Sequence, residues 1–166
     1  MSMITGVVLT ILALAAPASS SASADGKAAF ERLKSLAGDW QGAVTPTGQP
    51  AAIRYELGSG GTIVRELLFP GTEHEMLNVY HLVDGQLVAT HYCAMGNQPH
   101  FKLQAATADE LVFAFAGGTN FVPEKDPHIH DGRIKFVAAD RIEEDWTAFA
   151  AGKRAGDHLF VMTRKK

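Results

Sequence analysis

The stretch MLNVYHLVDGQLVATHYC, residues 76–93, decides the fold class. Asp84-Gly85 sits between two runs in which side-chain character alternates. An Asp-Gly pair in that setting is a strong hairpin signal, because the tight turns that match strand twist need positive φ at their central residues. Folding back at this turn pairs Leu82 with Leu87, Tyr80 with Ala89, Asn78 with His91 and Met76 with Cys93. Strand side chains alternate between faces, so these eight residues share one face. The other face carries His81, Val88, Thr90, Val79, Leu77, Tyr92 and Gln86. The first face is expected to be interior.

The same reading extends in both directions. Ten short strand-like runs are separated by turn residues: 38–44, 51–57, 62–68, 75–83, 86–93, 100–105, 110–116, 128–138, 141–150 and 157–164. Many short strands at even spacing predict an all-β, antiparallel up-and-down barrel of about ten strands. One helix precedes them. Phe30, Leu33 and Leu36 recur at helical spacing between Asp25, a capping residue, and Gly38, a stop.

Composition agrees with one globular domain. The chain has 166 residues, of which 46% are hydrophobic and 20% charged, with a net charge of −3. This excludes a disordered chain, a coiled coil and a multi-span membrane protein. The charge is of the wrong sign for a dedicated nucleic-acid binder. Residues 1–24 carry no charged side chain. Their apolar run VVLTILALAA (7–16) falls short of the roughly 20 apolar residues that a spanning helix needs. Pro17 and a serine-rich stretch lead to Ala22-Ser23-Ala24, which has the small-x-small form of a leader cleavage site. The expectation is a secretory signal peptide over 1–24, a barrel domain over 25–166, and an exported protein, periplasmic or secreted, with no membrane span after cleavage. No Lys or Arg precedes the apolar run, a departure from the usual leader. Cys93 is the only cysteine. An exported chain with one cysteine has no internal disulfide.

In a meander, successive turns fall alternately at opposite ends. One end then receives 58–61, 84–85, 106–109 and 139–140, all short, as a closed floor. The other receives 46–49, 69–74, 94–99, 117–127 and 151–156 as a mouth, and binding residues favour such loops.

The stretch Leu36-Ala37-Gly38-Asp39-Trp40-Gln41-Gly42, just after the short helix, resembles the G-x-W opening of the calycin barrels: the lipocalins, the fatty-acid-binding proteins and the nitrobindin-like haem barrels. The resemblance covers the mature chain in strand pattern and only its two ends in residues. It implies a barrel in which Trp40 on the first strand packs against Arg164 on the last, at the closed end. The string HYCAMGNQP, residues 91–99, is similar to a set of exported bacterial proteins of unknown function.

Six of the seven histidines, His74, His91, His100, His128, His130 and His158, map near the mouth; His81 maps toward the floor. Strand parity from Ile134 and Phe136 directs His128 and His130 inward, unless a bulge intervenes. His158 shares a face with Phe160, Met162 and Arg164. In the ninth strand Ile142, Glu144 and Trp146 are expected inside, which makes Glu144 an acid in a wet cavity or one with a raised pKa.

Three functions compete. The leading one is a small-molecule-binding barrel without covalent chemistry or a required cofactor. Its cavity would be lined by Ile53, Tyr55, Phe113, Phe115, Phe136, Trp146 and Phe160. His91, Asn78, Tyr80, Cys93, Asn97, Gln98, His128 and His130 are its candidate polar and rim contacts. The second is a zinc or haem site built from His91, His128 and His130, with His158 as a further candidate. The third is an enzyme with a His/Glu acid–base pair. The chain has no G-x-S-x-G elbow, phosphate loop or dinucleotide fingerprint, and the first reading is preferred.

Overall fold

The computed structural model describes residues 25–166; the expected leader and its cleavage site lie outside the described residues. Helix α1 (Gly26–Lys34) is followed by ten strands: β1 (Gly38–Thr45), β2 (Gln49–Gly58), β3 (Ile63–Leu68), β4 (Met76–Val83), β5 (Gln86–Tyr92), β6 (Gln98–Ala106), β7 (Glu110–Thr119), β8 (His128–Ala138), β9 (Arg141–Ala150) and β10 (Lys153–Arg164). Each strand pairs antiparallel with its chain neighbours, and β1 pairs with β10, so the sheet closes into a ten-stranded barrel. Closure removes free sheet edges. The Asp84-Gly85 hairpin has the expected register, with Asn78 opposite His91, Tyr80 opposite Ala89 and Leu82 opposite Leu87. Among the described residues, no helix is long and apolar enough to cross a membrane.

Helix α1 closes the floor. The Asp25 carboxylate accepts from the backbone N–H groups of Lys27 and Ala28, capping the helix start. Ala29, Phe30 and Leu33 are buried on one face. The helix ends at Ser35, earlier than the glycine stop suggested, and three turn hydrogen bonds carry the chain to β1. Gly26 lies so close to the Gly85 carbonyl and the Leu87 amide that no side chain fits there.

At this end Trp40 stands opposite Arg164 in the β1–β10 register. The Arg164 guanidinium lies 4.3 Å from the Trp40 ring. It also donates to the carbonyls of Ala37 (2.7 Å) and Ser35 (2.9 Å), while Trp40 Nε1 donates to Leu36 O at 2.8 Å. One planar cation thus ties the helix exit, the first strand and the last strand together. Arg164→Ala is expected to destabilise the fold by about 2 kcal/mol, from the cation–π contact and the lost charged hydrogen bonds. Arg164→Lys should recover only part of this, because an ammonium lacks the fork. A urea midpoint unchanged by Arg164→Ala would show that the seam is held elsewhere.

Two further features differ from the sequence expectation. Residues 151–156 are not a loop: β9 and β10 are joined by a tight Ala151-Gly152 turn with both residues at positive φ, and β10 begins at Lys153. The second is a register shift in β8 between Ile129 and Asp131. Above it, Ile129 pairs with Ala148 and His128 with Phe149. Ala148 shares the inward face of Trp146, so Ile129 takes the inward position that parity had assigned to the histidines. A bulge consumes one residue and reverses every side chain beyond it. Strands β7 and β8 are paired only from Glu110–Lys135 to Phe113–Gly132, and they diverge toward the mouth.

Candidate functional site

The barrel interior has a packed lower half, a polar middle layer and a hollow upper half. The lower half is filled by side chains such as Ile53, Val64, Leu87, Phe113, Ile142 and Met162, all buried. The upper half is a cavity of about 590 Å³. Its wall includes Leu68, Met76, Asn78, His91, Cys93, Ile129, Trp146, His158 and Phe160, with Phe69, Thr72, His74 and Met95 around the mouth. That volume lies within the range of small-molecule sites.

The middle layer is built by register. Tyr55, Glu66, Asn78 and His91 are consecutive partners across β2, β3, β4 and β5, so they form one row of the barrel wall. Glu66 Oε2 accepts from Tyr80 Oη (2.5 Å) and from Asn78 Nδ2 (3.0 Å). On the facing wall Glu144 Oε1 accepts from Tyr55 Oη at 2.6 Å, and Trp146 Nε1 lies 3.4 Å from Glu144 Oε2. Both carboxyls are fully buried and within hydrogen-bonding reach of each other. Two adjacent buried carboxylates cannot both stay ionised. Burial, then the Glu66 charge, push Glu144 well above the usual carboxylate range, and burial raises Glu66 as well. Glu144 is therefore the member of the pair pushed more strongly toward its protonated form. Glu66 Oε1 is buried and has no hydrogen-bond partner. Burial first, and then the neighbouring carboxyl pair, hold the Tyr55 and Tyr80 phenols well above their ordinary value.

His91 ends the row. Its Nδ1 lies 2.7 Å from Asn78 Oδ1. Asn78 already donates through Nδ2 to Glu66, so its oxygen must accept, and the proton sits on His91 Nδ1. Nε2 is then a bare lone pair with no partner, on a ring that lines the cavity. Burial lowers the His91 pKa to about 4, so the ring is neutral near pH 7. A neutral imidazole with one edge fixed by a carboxylate-backed hydrogen bond is a preorganised acceptor or metal ligand.

The other expected site residues divide. Asn78, His91, Cys93, Trp146 and His158 line the cavity. Tyr80 lies beneath it, bound to Glu66. Asn97 and Gln98 hold mouth loops together. Asn97 Nδ2 donates to Pro127 O at 2.8 Å, and Gln98 Oε1 accepts from Thr119 and Asn120. His128 and His130 fill the gap where β7 and β8 diverge. His130 stacks on Phe149 at 3.9 Å and on Phe115 at 4.4 Å, and His128 Nε2 meets His130 Nδ1 at 3.0 Å. The set His91, His128 and His130 is therefore not assembled. Among the described residues, no three His, Cys, Asp or Glu side chains group as a metal site. Of the expected apolar lining, Trp146 and Phe160 face the cavity. Ile53, Tyr55 and Phe113 are packed into the core, Phe136 stacks under Arg32 at the floor, and Phe115 joins the aromatic plug.

Glu66 is the residue that sequence reasoning missed. Its signal was parity, since it shares a face with the buried Val64 and Leu68. No protein-family model matches the chain, and no curated protein is significantly similar to it.

Proposed function

We propose that this chain is an exported, calycin-like barrel that binds a small, largely apolar molecule bearing one hydrogen-bond donor. The observation that carries this reading is the buried, unpartnered Nε2 of His91, a residue that lines a mostly apolar cavity. A buried acceptor without a partner costs free energy, and a ligand N–H or O–H would remove that cost. Phe69, Phe160 and Trp146 supply the apolar surface. The carboxyl layer beneath fixes the imidazole tautomer, so the ring accepts rather than donates. Nothing in this arrangement requires bond-making chemistry.

Two fluorescent probes test this. 2-Naphthol has a hydroxyl donor, and 2-methoxynaphthalene has the same ring system without one. The naphthol is expected to bind about tenfold more tightly, the worth of one buried hydrogen bond. His91→Leu should abolish that difference while leaving the ether's affinity in place. Equal affinity of the two probes for the wild-type protein, or no binding of either, would refute the reading.

A further inference from the structure

Beside His91, the cavity wall holds two sulfur donors, Cys93 and Met76, that the organic-ligand reading does not use. In the β4–β5 register, Leu77 stands opposite Tyr92 and Asn78 opposite His91. Met76 begins β4 and Cys93 directly follows β5, each one position beyond the last pair of this ladder on the mouth side. Met76, His91 and Cys93 all line the same cavity. Side chains of directly opposed residues start about 5 Å apart, and His91 and Cys93 are two positions apart on one face, roughly 6.6 Å along the strand. A methionine side chain has three rotatable bonds. An imidazole, a thiol and a thioether therefore border one cavity from neighbouring positions.

From this juxtaposition we infer a binding site for a soft monovalent metal ion, Cu(I) in chemistry, held by His91 Nε2, Cys93 Sγ and Met76 Sδ. Thiolate and thioether ligands select Cu(I) over harder ions. The lone cysteine does not stand alone here. Beside it is a buried imidazole, only 4% exposed, whose Nε2 has no partner and whose Nδ1 is anchored through Asn78 to a carboxylate. Such outer hydrogen bonding orients metal-binding histidines and raises their basicity. Among the described residues no three His, Cys, Asp or Glu side chains group as a harder set, whereas the thioether of Met76 lines the same cavity. Cys93 is half-buried, open to an ion entering from the mouth. Binding replaces the S–H bond with a metal–sulfur bond and releases one proton to solvent. No electron is transferred.

The test uses the full barrel under anaerobic conditions, with Cu(I) supplied as its acetonitrile complex and competed against a chromogenic chelator, bathocuproine disulfonate. One ion per chain is expected, with release of one proton. His91→Gln, Cys93→Ser and Met76→Leu should each weaken binding at least tenfold, whereas His81→Gln should not. X-ray absorption of the loaded wild-type protein is expected to show a mixed nitrogen and sulfur shell, and it decides the matter if a variant fails to fold. Unaltered affinity in Met76→Leu, a sulfur-only shell, or Zn(II) bound as tightly as Cu(I) would overturn the proposal. Met76→Leu should keep the naphthol preference, so failure of this site and failure of the organic-ligand site are distinguishable.

Discussion

Glu144→Gln is expected to reduce the loss of stability that the wild-type barrel should undergo as pH rises. Glu144 has a folded-state pKa raised well above its unfolded value, because it is buried beside Glu66. A group of this kind contributes stability that is complete below the unfolded value of 4.5 and is lost as pH climbs through the folded value. The loss proceeds at about 1.4 kcal/mol per pH unit for one proton. His91 works in the opposite sense. Its pKa falls from 6.5 unfolded to about 4 folded. Its contribution is complete above pH 6.5 and disappears on acidification toward 4, roughly 3 kcal/mol in all. Between pH 4.5 and 6.5 the two slopes oppose each other, and the wild-type profile should be nearly flat. Above 6.5 only the carboxyl slope remains, for as long as the pair keeps its proton. Glutamine mimics the protonated acid, with an N–H₂ to donate to Glu66. In Glu144→Gln, stability should fall less steeply with rising pH than in the wild type, the residual fall coming from Glu66, which burial also raises. Denaturant melts across this range check it, and parallel curves for the two proteins would show that Glu144 holds no proton.

Gly132→Ala is expected to be among the most damaging single methyl additions to this fold, at about 3 kcal/mol. A Cβ at this position would overlap Trp146 ring atoms Cε3 and Cζ3. The indole cannot retreat freely. It packs against Phe101 at 5.6 Å, lies over Glu144 and forms part of the cavity wall. The substitution should therefore lower the melting temperature and change tryptophan emission together, and it should also weaken naphthol binding. Gly60→Ala is the control: nothing lies within 4 Å of its Cβ, and only its positive φ makes alanine costly, by about 1 kcal/mol. A Gly132→Ala protein as stable as Gly60→Ala would mean that the Trp146 wall is soft.

The strand order was legible because period-two alternation and turn chemistry are local signals. Asp84-Gly85 alone set three correct pairs, Leu82–Leu87, Tyr80–Ala89 and Asn78–His91, and Trp40 with Arg164 marked the seam. The candidate site was legible only in part. Asn78 facing His91 followed directly from the hairpin. Glu66 did not, because it stands next to Arg65 in a charged pair that reads as a solvated surface. Its burial makes sense only when β2 and β4 bring Tyr55 and Asn78 to its sides. His128 and His130 were misdirected by a single extra residue in β8. A bulge leaves no strong trace in composition, yet it moved both rings from the expected cavity to an aromatic plug.

The seam has a kinetic consequence. Arg164 reaches a carbonyl 128 positions earlier in the chain, whereas the other strand pairs join chain neighbours. Hairpins can assemble as soon as their two halves exist, but the β1–β10 ladder must wait for everything between. Folding speed falls as contacts grow more distant in sequence, so this last ladder is expected to limit the refolding rate. Until it forms, β1 offers an open row of backbone donors and acceptors to other chains, and the interval before closure is when self-association competes with folding.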